Sequence, residues 1–189
     1  VPTTAQLVRQ LATARQKRTN EITIQSLIHH VLADPALGLG RITLEYPLPG
    51  GRRIDLYAGR LAVEVKRDLR PAGALGRAAE QVGGYLHALH TTTHRHHIGV
   101  VTDGVQWFAY QRDGSTLRLV GRHTVRHGLP EHEAQRLIEW LNHMHTTRPR
   151  ATPVAKPKST SSLSGDTWFV LLVFTILLLL ARQLQLWLG

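Results

Sequence analysis

"GRRIDLYAGRLAVEVK", residues 51–66, reads as two short strands joined by a tight turn, and its register decides how the rest is understood. Gly59-Arg60 suits a two-residue loop with glycine first, the type II′ hairpin turn. Pairing then runs Ala58 with Leu61, Tyr57 with Ala62, Leu56 with Val63 and Asp55 with Glu64. Alternation sends Ile54, Leu56, Val63 and Val65 to one face and Asp55, Glu64 and Lys66 to the other. Two carboxylates opposed on neighbouring strands repel, which works against stability unless something positive stands between them. A divalent cation such as Mg²⁺ supplies that charge, binding one or two carboxylates and keeping water or phosphate oxygens in its other positions. Lys66 stands beside the same pocket, where it could orient or deprotonate a water, or stabilise negative charge on a phosphorus under attack. Taken alone, the Glu-x-Lys pattern is also how an ordinary solvent face looks.

Working outward, helical periodicity precedes the hairpin. "AQLVRQLATARQ" suggests one helix and "NEITIQSLIHHVLAD" a firmer one, with Asn20 as N-cap and Ile24, Leu27, Ile28 and Val31 at helical spacing. "RITLEYPL" is strand-like. After Pro71 and Gly73, "ALGRAAEQVGGYLHAL" is an amphipathic helix interrupted by Gly83-Gly84. "HIGVVT" and "QWFAYQ" read as strands joined through Asp103-Gly104, "TLRLVGRHTV" as a further strand, and "PEHEAQRLIEWLNHM" as a closing helix with Pro130 near its start. The order implies an α/β (α+β) fold: a mixed β-sheet flanked by helices.

The 189 residues include no cysteine, so disulfides and thiolate metal sites are excluded and any metal must use carboxylate, carbonyl or imidazole ligands. The net charge of +10 divides into 18 Lys and Arg against 12 Asp and Glu, +6, over residues 1–145, and 5 against 1, +4, beyond them. An excess of this sign favours polyanions, either nucleic acid or an anionic membrane surface. Residues 1–145 are read as one domain. Residues 146–166, "TTRPRATPVAKPKSTSSLSGD", have the composition of a disordered basic, proline-rich linker with a reach of roughly 25 Å. Residues 167–188 are read as a transmembrane tail anchor: an apolar run from Trp168 to Ala181, extended through Arg182 to Leu188, with Trp168 and Trp187 at interfacial positions. A helix packed in a core or lying flat in the interface is the alternative. Arg148, Arg150, Lys156 and Lys158 precede the anchor, so the globular domain is expected on the cytoplasmic side of the membrane. Residues 1–20 contain no apolar run of signal-peptide type, so no secretory export is signalled there.

Glu21 on an early helix, Asp55 on a strand, Glu64-Val65-Lys66 on the next strand and Gln81-Val82-Gly83-Gly84-Tyr85 on the following helix together resemble the PD-(D/E)xK nuclease superfamily. The likeness is to its RecB-like branch with the Q-x-x-x-Y motif, and to restriction-endonuclease-like domains. It covers about residues 20–112, including "VVTDGVQWFAY", which looks like the strand, turn and Trp-containing strand that follow the motif helix. Ile54 stands where the superfamily's name has proline. The resemblance implies a restriction-endonuclease-like fold in which Asp55, Glu64 and the backbone carbonyl of Val65 hold Mg²⁺, or Mn²⁺, with Lys66 at the attacking water. Glu21 would assist that metal or a second one. Water would attack the phosphorus in line and a 3′ oxygen would leave. Gln81 and Tyr85, one turn apart and on one face with Arg77, would touch a nucleic-acid backbone or brace the site.

The expectation is thus a Mg²⁺-dependent nuclease, membrane-anchored, acting on DNA with RNA not excluded, in restriction of foreign DNA or in repair. It needs no small-molecule cofactor and is compatible with a homodimer. The alternative is a non-catalytic module of the same fold that holds nucleic acid or a protein at the membrane; a bare scaffold is a third reading. Residue by residue, simpler roles stand beside these. Glu21 in a first helical turn complements the helix dipole, Glu45 is a surface carboxylate within reach of the site, and Tyr85 could be a core tyrosine. The histidines of "HTTTHRHH", 90–97, match no standard zinc spacing and read as a basic rim.

Overall fold

In the computed structural model, which describes residues 2–126 and 128–147, the first two helices begin at capping side chains. Thr3 caps α1 (Thr4–Gln16): its hydroxyl accepts from the Gln6 amide, and its own amide donates to the Gln6 side chain. Asn20 caps α2 (Glu21–Leu32) by accepting from the Thr23 amide. A short 3₁₀ turn at Pro35–Leu37, not foreseen from the sequence, then leads into β1 (Ile42–Pro47). Next come β2 (Arg53–Ala58), β3 (Leu61–Val65), α3 (Ala74–Thr93), β4 (Ile98–Thr102), β5 (Gln106–Asp113), β6 (Thr116–Thr124) and α4 (Pro130–Thr146).

The six strands form one mixed sheet in the order β1-β2-β3-β4-β5-β6. Every neighbouring pair is antiparallel except β3 and β4, which are parallel and joined by α3. Antiparallel neighbours need only a turn, whereas a parallel pair needs a crossover of α3's length. The expected α+β fold, a mixed sheet flanked by helices, is what the chain forms. β3 and β4 are buried along their whole length, as central strands covered on both faces must be. One face packs on α1, α2 and α4, where Leu11, Ile24, Ile28, Leu137 and Leu141 meet Leu56, Val63, Val65, Val100 and Trp107. The other packs on α3, where Val82, Tyr85, Leu86 and Leu89 meet Ile54, Ala62, Val101 and Phe108.

Gly99 lets α3 approach β4 closely, since a Cβ there would lie 2.0 Å from the Val82 methyl. That places the tight helix-to-sheet contact on the strand's glycine and not on Gly83-Gly84. A Cβ on Gly84 would instead strike the Arg52 guanidinium at 2.5 Å, and one on Gly83 would touch Leu117 at 3.4 Å.

The hairpin forms in the expected register, with Ala58↔Leu61, Tyr57↔Ala62 and Leu56↔Val63 as rungs. Gly59 takes φ +57 and Arg60 is not among the positive-φ residues, as the glycine-first turn requires. Two expectations are corrected. The Asp55–Glu64 rung does not form; the ladder stops at Leu56, and Asp55 turns its carboxylate onto the Val65 amide at 2.7 Å. Ile54 does not share the face of Leu56 but packs on the α3 side with Ala62 and Tyr85. The cause is local. Glu45 sits at φ +49 and the β1–β2 ladder skips its rung with Asp55, so both strands twist there and Tyr46↔Ile54 resumes on the α3 side.

α4 extends to Thr146. Apart from Thr146 and Thr147, the linker at 146–166 and the anchor at 167–188 lie outside the described residues. Among the described residues no helix is long and apolar enough to cross a membrane.

Candidate functional site

The site gathers at the end of β3, where the strand leaves the sheet beside the start of α2 and the middle of α3. Glu64 is 1% exposed, on the α3 side of β3. One of its oxygens accepts from Lys66 Nζ at 2.5 Å, and the other from the Tyr85 hydroxyl at 3.0 Å. That hydroxyl accepts in turn from Gln81 Nε2 at 2.5 Å. Gln81 and Tyr85, four residues apart on α3, therefore form a relay that braces the second oxygen of Glu64. Asp55 caps the Val65 amide, and its own backbone carbonyl accepts from Gln25 Nε2 at 2.9 Å. Gln25 also donates to Glu45 at 3.2 Å. Glu21 reaches across from the first turn of α2 to accept from the Arg67 amide at 2.9 Å, so its place in the helix and its place at the site are compatible.

Electrostatics records the crowding. Burial, then the neighbouring Glu64 charge, push the Asp55 carboxyl from 3.8 up to about 7 against the opposing pull of the Val65 amide and Lys66. Burial also raises Glu64, although the hydrogen bond and charge of Lys66 and the Tyr85 hydroxyl resist it. For Lys66, burial disfavours the charge, but the bond to Glu64 and the charges of Glu64, Glu21 and Asp55 outweigh it and leave the ammonium more basic than usual. The ammonium of Lys66 is thereby held charged beside Glu64. Tyr85 is raised by burial and by Glu64 and stays protonated as a donor.

Of the residues singled out in the sequence, Glu21, Asp55, Glu64, Val65, Lys66, Gln81 and Tyr85 come together. Arg77 does not join their hydrogen bonds among the described residues; its guanidinium folds back over Gly73, within 3.0 Å of where a Cβ there would stand. Glu45 is one residue removed, linked through Gln25. Among the described residues no three His, Asp or Glu side chains form a ready cage for a metal. A cation would have the Asp55 and Glu64 carboxylates and the Val65 carbonyl, with water or phosphate completing its shell. All of these are hard oxygens, a set that suits Mg²⁺ and no thiophilic metal.

Sequence reasoning missed Gln25, Arg15 and Asp103. Gln25 lies four residues after Glu21, on the same face of α2, which is the one signal that could have found it. Arg15, Arg18 and Arg67, with Lys66 and Glu21, line an open cleft of about 580 Å³ at the site. The histidines His90, His96 and His97 line a separate cleft with Arg95 and Arg112. His97 is buried, its Nδ1 donating to the Arg95 carbonyl and its Nε2 accepting from the Tyr57 hydroxyl, so it is a satisfied core histidine. Compared with protein-family models, with curated proteins and with solved structures, the chain matches none.

Proposed function

We propose that this chain is a metal-dependent nuclease of restriction-endonuclease-like fold that hydrolyses phosphodiester bonds in DNA. The observation that carries the reading is the convergence, at the end of β3, of two desolvated carboxylates, Asp55 and Glu64, with the ammonium of Lys66. Burying one carboxylate beside another costs stability, and Lys66 bonds to only one of the two, so a cation at Asp55 would offset the remainder. Asp55, Glu64 and the Val65 carbonyl would hold Mg²⁺, or Mn²⁺. Bound there, the metal supplies Lewis acidity and a water more acidic than bulk water.

The chain's own residues do the rest. Lys66 remains protonated and places a positive charge beside the oxygens of the phosphate under attack. Gln81 and Tyr85 hold Glu64 in one orientation, a supporting role rather than a nucleic-acid contact. Glu21 fixes the backbone at Arg67 and adds negative charge near the metal position. Residues 167–188 would tether this domain to the cytoplasmic face of a membrane, where incoming DNA arrives.

The test incubates the full chain in detergent with plasmid DNA, linear DNA and RNA, with Mg²⁺ and with chelator, beside Lys66→Ala and Asp55→Ala. Cleavage that requires Mg²⁺ and is lost in both variants is expected. Equal cleavage by all three proteins would sink the assigned site. The closed Lys66–Glu64 bond, which satisfies Glu64 with no metal, favours the second reading of a non-catalytic module; nucleic-acid binding with steep salt dependence and no cleavage would support it.

A further inference from the structure

Two clefts meet at Arg15. The larger opens at Lys66 and is walled by Arg18 and Arg67; the second, about 260 Å³, is walled by Arg70 and Arg126. Together their linings carry six cations, Lys66, Arg15, Arg18, Arg67, Arg70 and Arg126, against two acids, Glu21 and Asp68. Asp68 pairs with Arg70, and the buried Asp103 and Glu64 pair with Arg15 and Lys66, so six cations stand against four acids and the walls keep a net charge of +2.

One buried group organises its walls. Asp103 is 0% exposed; one oxygen accepts from the Val105 and Gln106 amides at 3.1 and 2.7 Å, and the other from the Leu69 amide at 3.2 Å. That second oxygen also lies 3.2 Å from Arg15 Nε. Asp103 therefore ties Arg15 of α1 to the loop that bears Arg67 and Arg70. The ion pair with Asp103, without a hydrogen bond from Nε, and a terminal nitrogen donating to Gln106 Oε1 at 3.4 Å place Arg15 at the junction of the two clefts. Among the described residues no aromatic side chain lines either cleft as a platform on which bases could stack.

We propose that this channel seats the phosphodiester backbone of the nucleic-acid strand running from Lys66 past Arg15 to Arg126, gripping phosphates without reading bases. The proposal rests on the nuclease reading of the site. Concave walls rich in guanidinium suit a strand, whereas a membrane surface is flat.

The experiment measures binding of fluorescent poly-dT and mixed-sequence single strands and duplexes to the full chain, in chelator, across a salt series. Arg18→Gln and Arg126→Gln, both exposed, should each reduce the slope of log K against log salt by about one and weaken binding alike for all sequences. Arg15→Gln should do the same; if that variant fails to fold, Arg18→Gln and Arg126→Gln carry the test. Arg9→Gln, on another surface of α1, should leave the slope unchanged. Equal slopes for all variants would overturn the proposal, as would binding confined to anionic phospholipid vesicles. Failure of the nuclease reading is seen separately: a wild type that never cuts yet loses slope in Arg18→Gln and Arg126→Gln keeps the channel and loses the chemistry.

Discussion

Replacing Asp55 by Asn should make the metal-free protein more stable while removing its activity. The Asp55 carboxyl is raised in the folded chain from 3.8 to about 7. An acid raised on folding penalises the native state once ionised. The penalty is absent below the unfolded value, grows between about pH 4 and pH 7, and is complete above that. At 1.36 kcal/mol per pH unit the full shift would be about 4 kcal/mol. Asp55 is half-buried, and solvent screening reduces the figure to about 2 kcal/mol. Asn keeps an oxygen for the Val65 amide and drops the charge, so little is lost in exchange. In chelator near pH 8, Asp55→Asn should melt about 5 °C above wild type, and near pH 3, below the unfolded value, the two should melt together. Mg²⁺ should then raise the melting temperature of wild type and leave the variant where it was. Thermal melts of the full chain at both pH values decide the matter. A variant less stable than wild type near pH 8, or a difference that does not change with pH, would show that Asp55 is an ordinary structural carboxylate and refute the reasoning.

Tyr85→Phe deprives the buried Glu64 of a donor, so it should cost about 1–2 kcal/mol in denaturant melts and slow cleavage about tenfold at saturating DNA. An unchanged rate would mean that the relay does not hold Glu64 for chemistry. Gly99→Ala puts a methyl 2.0 Å from Val82 and should destabilise by about 1–3 kcal/mol, with α3 displaced from the sheet and cleavage reduced with it. Asp103→Ala removes the acceptor of three backbone amides and the partner of Arg15; a loss of about 3–5 kcal/mol is expected, and a loss below about 1 kcal/mol would show that the loop is held elsewhere.

Much of this architecture was legible because its signals are local. Gly59-Arg60 set the hairpin and three of its rungs, and Asn20 marked the start of α2. The unbroken apolar character of Leu61–Val65 and Ile98–Thr102 belongs to the buried centre of the sheet. What stayed hidden depends on long-range contact. The positive φ at Glu45 has no glycine to announce it, so strict alternation misplaced Ile54 and supplied a rung that Asp55 does not make. Asp103 looked like a turn residue and is one, but its ion pair with Arg15 joins residues far apart in the chain. Arg77 has the helical spacing of Gln81 and Tyr85, yet its long side chain follows the first turn of α3 back over Gly73.

The account turns on whether Asp55 and Glu64 are a cation site, and proton release on metal binding tests that directly. Calorimetric titration of the full chain with Mg²⁺ in buffers of different ionisation enthalpy counts the protons displaced. With a carboxyl raised to about 7, binding near pH 7 should release about half a proton, rising as the pH is lowered. Asp55→Asn should release none and bind far more weakly. Absence of Mg²⁺ binding by wild type, or binding with the same proton release in Asp55→Asn, would contradict it.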